Sequence, residues 1–357
     1  MADAFDVDYP RAVLVGLAVA TALALVVAAS TSSAAFGAYN SAWDGAAGLR
    51  TAAEDAGAEP AVVLNTTRYG GVAAEETVAV VLSPDRAYTS REAARVRAFV
   101  ERGGTLVVAE DYGTHSNALL DAVGASARFD GAPVRDERSN YRSPALPVAT
   151  NVSASPLTAG VSQLTLNHGT VLERRDARVL VATSAYAYRD TDGDGELDDA
   201  ESLDTYPVVT VERVGSGRVI AVADPSLFIN AMLDRPGNRQ FVDNAFAAHD
   251  RVVLDYSHAE RLPPLALALL VVRRTPLLQA LLGVGGVVAV YAWGRGLFSP
   301  LTDRLRRDRP AADGSEPSAA DVAADLRRRH PEWDAERVNR VTEGVMPRRG
   351  ESPDEHE

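Results

Sequence analysis

The stretch RDTDGDGELDDAE, residues 189–201, sets an acid at every second position from Asp190 to Asp198, with Glu201 after them. Calcium takes about six to eight hard oxygen ligands. Asp190, Asp192 and Asp194 fall at positions 1, 3 and 5 of a twelve-residue calcium loop, and Gly195 falls at position 6, where a sharp turn is required. Glu196 would offer its backbone carbonyl, Asp198 would reach the ion through water, and Glu201 stands at position 12. Leu197 is the apolar residue between them. The spacing predicts a structural Ca2+ site, because a cation relieves the repulsion of so many carboxylates. An acidic turn in an acidic protein is the alternative. The flanking runs, 179–188 and 206–211, read as strands, so the loop is not an EF-hand between two helices.

A second set of residues could form a polar crevice. Asp85 follows VVLSP, Glu110 and Asp111 follow TLVVA, and Asp224 follows RVIAVA, with Ser226, Asn230 and Asn238 next. In open α/β sheets, ligands bind beyond the carboxyl ends of strands. The same residue types also serve as turn and cap residues, so the crevice competes with a purely local role. Ser226, Asp224 and His168 are the raw materials of a hydrolase. No Gly-x-Ser-x-Gly elbow, Gly-x-x-x-x-Gly-Lys loop, Gly-x-Gly-x-x-Gly turn or His-Glu-x-x-His pair occurs. With no cysteine in the chain, thiol catalysis, Cys metal sites and disulfides are excluded. The reading is therefore a binding module rather than an enzyme, with an envelope hydrolase or an accessory substrate-binding subunit of a transporter as alternatives.

Composition narrows the partners. All 36 basic residues are arginine and the net charge is −13. An acidic, lysine-free chain is a poor fit to nucleic acid, which needs a basic face. Such a surface suits concentrated salt, where screening is short-ranged, and suggests a halophilic archaeon.

The elements that must carry these residues follow from hydrophobic patterning. AVVLN (61–65), TVAVVL (77–82), TLVVA (105–109) and RVIAVA (218–223) read as buried parallel strands. TSREAARVRAFVER (89–102) is an amphipathic helix that Ser90 can cap and that Gly103 and Gly104 end. Residues 46–56, 117–123 and 241–248 also read as helices. Strand and helix alternate through short joins, which predicts an α/β fold with a mostly parallel sheet and a β-rich second half.

Two apolar segments frame this body. Residues 12–29 are long enough to cross a bilayer, which takes roughly 20 apolar residues, with a cleaved signal peptide as the alternative, and 277–293 are nearly so. The arginines after 293 place that side in the cytoplasm. The expected organisation is a short cytoplasmic amino terminus (1–11), a transmembrane helix (12–29), an extracytoplasmic α/β domain (36–262), an interfacial segment (263–276), a second transmembrane helix (277–293) and a cytoplasmic tail (295–357). The tail carries two short helices, 318–329 and 331–344, the first opening on a capping-box pattern at Ser318.

The order SPDRAYTSREAARVRAFVERGGTLVVAEDYG, NALLDAVGASARFDG, DPSLFINAML and Asn238 resembles the family called domain of unknown function 4350. The resemblance covers roughly residues 39 to 300. It implies a membrane-tethered protein with a class I glutamine amidotransferase-like, flavodoxin-like α/β domain. It also implies partnership with a MoxR-type ATPase and a von Willebrand factor A-like protein in the cell envelope. Amidotransferases place a cysteine after a central strand. Here Glu110, Asp111, Tyr112 and Gly113 follow TLVVA, so that nucleophile is missing.

Overall fold

The computed structural model describes residues 35–259, 318–331 and 333–345, together with Leu277, Ala280, Leu281 and Val284. The chain divides into two compact units, 1–275 and 276–357.

The first unit is built on an eight-stranded mixed sheet. Its strands in chain order are β1 (Glu59–Val63), β2 (Thr77–Leu82), β3 (Thr105–Ala109), β4 (Asn151–Val152), β5 (Arg178–Ala182), β6 (Pro207–Val214), β7 (Gly217–Val222) and β8 (Arg251–Asp255). The spatial order is β1-β8-β2-β3-β7-β6-β5-β4. The first five are parallel neighbours, and β6, β5 and β4 extend the sheet antiparallel. All five residues of β3 are buried, as a strand covered on both faces must be. This mixed α/β architecture with a large, mostly parallel sheet is what the valine-rich runs predict.

Five helices join these strands: α1 (Ala47–Asp55), α2 (Ser90–Glu101), α3 (Ser116–Val123), α4 (Asn230–Leu233) and α5 (Asn238–Phe246). α2 and α3 pack together, and α1, α4 and α5 form a second group. α2 buries Val96, Phe99 and Val100, and Phe99 meets Tyr69 with ring centroids 5.1 Å apart. Thr89, not Ser90, is its N-cap. The Thr89 hydroxyl accepts from Glu92 N while the Glu92 carboxylate accepts from Thr89 N, a reciprocal capping box.

The second unit contains α6 (Ala319–Arg329) and α7 (Ala335–Val345). Ser318 and Asp321 form the capping box at the start of α6. α7 begins four residues later than the pattern suggested. Pro331 and Trp333 lie in the connection, where Trp333 stacks on His330 at 4.2 Å and lies under Arg337.

The expectation of an α/β domain flanked by two transmembrane helices is corrected. Among the described residues, no helix is long and apolar enough to cross a membrane. The two-span cell-membrane topology, with an extracytoplasmic middle and cytoplasmic termini, goes with it. The segments 12–29 and 263–276, and 277–293 apart from Leu277, Ala280, Leu281 and Val284, lie outside the described residues. Those four residues are helical and exposed.

Candidate functional site

The carboxyl edge of the parallel strands gathers most of the expected polar residues. Asp85 follows β2 and is exposed; its N–H donates to the His258 carbonyl at 3.0 Å. Glu110 follows β3 and is 0% exposed. Its Oε1 accepts from Ser83 Oγ (2.8 Å), Asp111 N (3.1 Å) and Gly113 N (3.1 Å), and its Oε2 accepts from Ser116 Oγ (2.9 Å). Burial pushes this carboxyl up, and the four donors only partly oppose that. The turn must be Gly113, because a Cβ there would overlap the Glu110 carboxylate. Glu110 therefore stitches β2, the β3 turn and the start of α3 together, and both of its oxygens are spent in doing so.

Asp224 follows β7 and is also fully buried. It caps the short 3-10 helix Pro225–Phe228 by accepting from Ser226 N at 2.7 Å, and it accepts from Asn167 N at 2.6 Å. Burial pushes its carboxyl up to about 7. Ser226 belongs to this cap. His168 is exposed, has a positive φ of 57°, and offers its carbonyl to the Tyr112 hydroxyl. Among the described residues, no hydrogen bond joins the His168 imidazole to Ser226 or Asp224, so the geometry lends a hydrolase no relay.

Asn230 and Asn238 do not join the edge. Asn230 accepts from Gly48 N (2.8 Å) and donates to the carbonyls of Asn40 (3.0 Å) and Ala42 (2.6 Å), tying down the segment before α1. Asn238 is buried and brackets Thr165, accepting from its N–H at 2.9 Å and donating to its carbonyl at 2.9 Å. Both amides replace missing backbone partners, which buried polar groups require.

The acidic loop leaves a two-stranded antiparallel pair, Val134–Asp136 with Ala187–Arg189. It is bounded by strands and not helices, as its flanks indicate. Ligand oxygens of Asp190, Asp192 and Asp194 converge within 4.8 Å of one another. Gly195 holds φ +87°, a conformation that side chains with a Cβ rarely adopt. Asp198 is raised by Asp194 first and Asp192 next, so it faces the same cluster. Glu201 folds back over the loop, accepting from Thr191 N at 2.6 Å. Glu196 is exposed, and its N–H donates to Asp194 Oδ1 at 2.8 Å. Converging carboxylates around a tight glycine turn fit a hard divalent cation.

One contact was not legible in the sequence. Asp190 is 0% exposed, and its Oδ2 accepts from Arg135 Nε at 2.6 Å. Burial raises the Asp190 carboxyl, but Arg135 and the N–H groups of Gly195 and Gly193 outweigh it and hold the pKa low. Arg135 also brings the loop to the crevice. Tyr112, which is 43% exposed, is pushed up to about 12 by burial, then by Asp111 and Asp224, with Arg135 opposing and Asp190 adding. Asp111, Tyr112, Asp224, Arg135 and Asp190 thus share one electrostatic neighbourhood. The crevice and the loop, read separately in the sequence, act electrostatically on the same residue, Tyr112.

A family model described as Domain of unknown function (DUF4350) matches residues 38–245. No curated protein matches. Among solved structures, the chain is similar to the mmIFT52 N-terminal domain at 16% identity and a TM-score of 0.40, covering 52% of this chain and 80% of that one. It is similar to a putative ThuA-like protein from Bacteroides uniformis at 13% identity and a TM-score of 0.30, covering 52% and 72%. It is also similar to the exo-beta-1,4-mannosidase Op5Man5 from Opitutaceae bacterium strain TAV5 at 17% identity and a TM-score of 0.25, covering 48% of this chain and 24% of that enzyme.

Proposed function

This chain belongs to the DUF4350 family, and from that premise we propose that it is a non-enzymatic binding module whose carboxyl sheet edge is braced by a calcium loop. The observation that carries this is the convergence of Asp190, Asp192 and Asp194 within 4.8 Å beside the Arg135–Asp190 pair and Tyr112. The ion would be held by these three side chains, the Glu196 carbonyl, Asp198 through water, and Glu201. Bound calcium would supply positive charge there; it would neutralise the loop and fix the rim on which Asp111 and Tyr112 stand.

The reading is structural rather than catalytic because the buried carboxylates at this edge are already committed. Glu110 is saturated by four donors and Asp224 by two backbone N–H groups. The rim that a ligand or partner would meet is formed by Asp111, which accepts from Tyr112 N, and by the ring of Tyr112, whose hydroxyl donates to the His168 carbonyl. The sheet order, with five parallel strands and an antiparallel extension, supports a class I glutamine amidotransferase-like kinship. The lysine-free, acidic composition supports a halophilic archaeal source. Within this proposal the protein serves a MoxR-type ATPase and a von Willebrand factor A-like protein, through the helical unit that contains α6 and α7.

Two comparisons test it. Melting of the full chain in calcium against chelator is expected to show a calcium-dependent rise that Asp192→Asn and Asp194→Asn abolish. Co-purification of the ATPase with the full chain, but not with a chain ending at residue 294, is expected for the partner role. Equal recovery from both chains would overturn that role.

A further inference from the structure

The opposite edge of the sheet sets arginines among carboxylates. At the amino-terminal ends of the parallel strands lies a cavity of about 580 Å³ whose lining includes Arg178, Arg213, Arg218, Thr105, Ser216 and His249. Strand register puts its arginines on one face. Arg213 stands directly across from Arg218, and Arg218 across from Thr105. Val211 stands across from Ile220 on one side and from Arg178 on the other. Because side chains alternate along a strand, Thr105, Arg178, Arg213 and Arg218 project to the same side.

This arrangement costs stability as it stands. Like charges directly opposite on a sheet repel, and Arg218 is half-buried. Burial and then Arg213 hold the Arg218 pKa down. Among the described residues, none of the three arginines forms an ion pair. Glu75, Asp176 and Glu212 also line the cavity. Glu212 is turned to Ser126, accepting from its N–H at 2.7 Å and its hydroxyl at 3.0 Å.

A buried histidine completes the set. His249 is 6% exposed, and its Nε2 lies 3.0 Å from Thr105 Oγ1. The same hydroxyl accepts from Arg218 Nε at 3.0 Å. Its own proton is then free for His249 Nε2, which assigns the imidazole proton to Nδ1. That Nδ1 lies outside strict hydrogen-bond geometry, but the backbone carbonyls of Ala245 and Phe246 act on the imidazole as acceptors, so it is not left bare. Arg213 and Arg218 therefore face each other across one cavity without a direct ion pair, although three carboxylates share its lining.

We propose that this cavity is a binding site for a small phosphate-type oxyanion, held chiefly by Arg213 and Arg218. A guanidinium fork binds carboxylate or phosphate oxygens in pairs; two facing forks suit a phosphate, which offers more acceptor oxygens than a carboxylate. The site is independent of the calcium loop, at the other end of the strands.

The test is calorimetric titration of the full chain with inorganic phosphate and with pyrophosphate, at an ionic strength fixed by chloride. Saturable binding is expected for the wild type and for Arg97→Gln, a surface control that pairs with Glu101. Arg213→Gln and Arg218→Gln should each bind about tenfold more weakly or worse, as losing a charge-assisted hydrogen bond implies. Arg213 is exposed, so its variant reports even if Arg218→Gln fails to fold. Absence of saturable binding to the wild type by either anion, or wild-type affinity in Arg213→Gln, would overturn the proposal.

Discussion

Replacing Glu110 separates two kinds of buried acid. In Glu110→Ala, the N–H groups of Asp111 and Gly113 and the hydroxyls of Ser83 and Ser116 lose their acceptor. A buried donor left without a partner costs about 1–3 kcal/mol. The hydroxyls can rotate towards other acceptors, so the two N–H groups dominate and the expected loss is about 2–6 kcal/mol. For a domain of this size, each kcal/mol lowers the melting temperature by roughly 2–4 °C, so a fall of roughly 4–24 °C is expected. Glu110→Gln keeps Oε1 for three of the four donors and turns an NH2 towards Ser116, whose hydroxyl can accept. It also removes an ionisation that burial disfavours. Its loss should stay below about 2 kcal/mol. Because the folded-state pKa is raised, ionisation weakens the fold as pH rises above the ordinary carboxylate range, and Glu110→Gln should remove that decline. Calorimetric melts of both variants from pH 5 to 8 check this. Equal destabilisation by Ala and Gln, or an Ala variant that melts like the wild type, would refute the reasoning.

Other perturbations have equally definite outcomes. Asp224 holds its proton more tightly folded than unfolded, so its contribution to stability is full below 3.8 and declines until pH passes about 7. That span corresponds to roughly 4 kcal/mol, and Asp224→Asn should lack the decline, so its melting temperature gains on the wild type between pH 5 and 8. Arg135→Gln strips the buried Asp190 of its partner; it should lower the melting temperature in chelator and raise calcium affinity, as read by paired melts and titration. Gly195→Ala forces a Cβ into a φ of +87° and should cost about 1–2 kcal/mol, with weaker calcium binding.

The sheet was readable because its parallel strands are short valine-rich runs bounded by turns. TVAVVL and TLVVA coincide with β2 and β3 to the residue, and RVIAVA with β7 to within one. The helix cap was misplaced by one residue because Thr89 and Ser90 are both good caps; the reach of Glu92 back to Thr89 decides between them. The convergence of Asp190, Asp192 and Asp194 was legible from spacing, since the three lie within five residues. Arg135 was not, because it lies 55 residues away and meets Asp190 only through strand pairing. Asn230 and Asn238 looked like crevice residues, but backbone groups needing partners claimed them. The arginine-bearing cavity was not legible for the same reason as Arg135. Its one sequence signal was the turn at Gly215 and Ser216, which pairs Arg213 with Arg218. Hydrophobic length suggested two spans, yet no described helix has the length and apolarity to cross a bilayer.

The central claim is that the loop from Asp190 to Glu201 is a calcium site that braces the carboxyl edge of the sheet. Isothermal titration of the full chain with calcium chloride tests it most directly. One saturable site, lost in Asp192→Asn and Asp194→Asn, is the predicted result. No saturable heat, or binding unchanged in both variants, would contradict it.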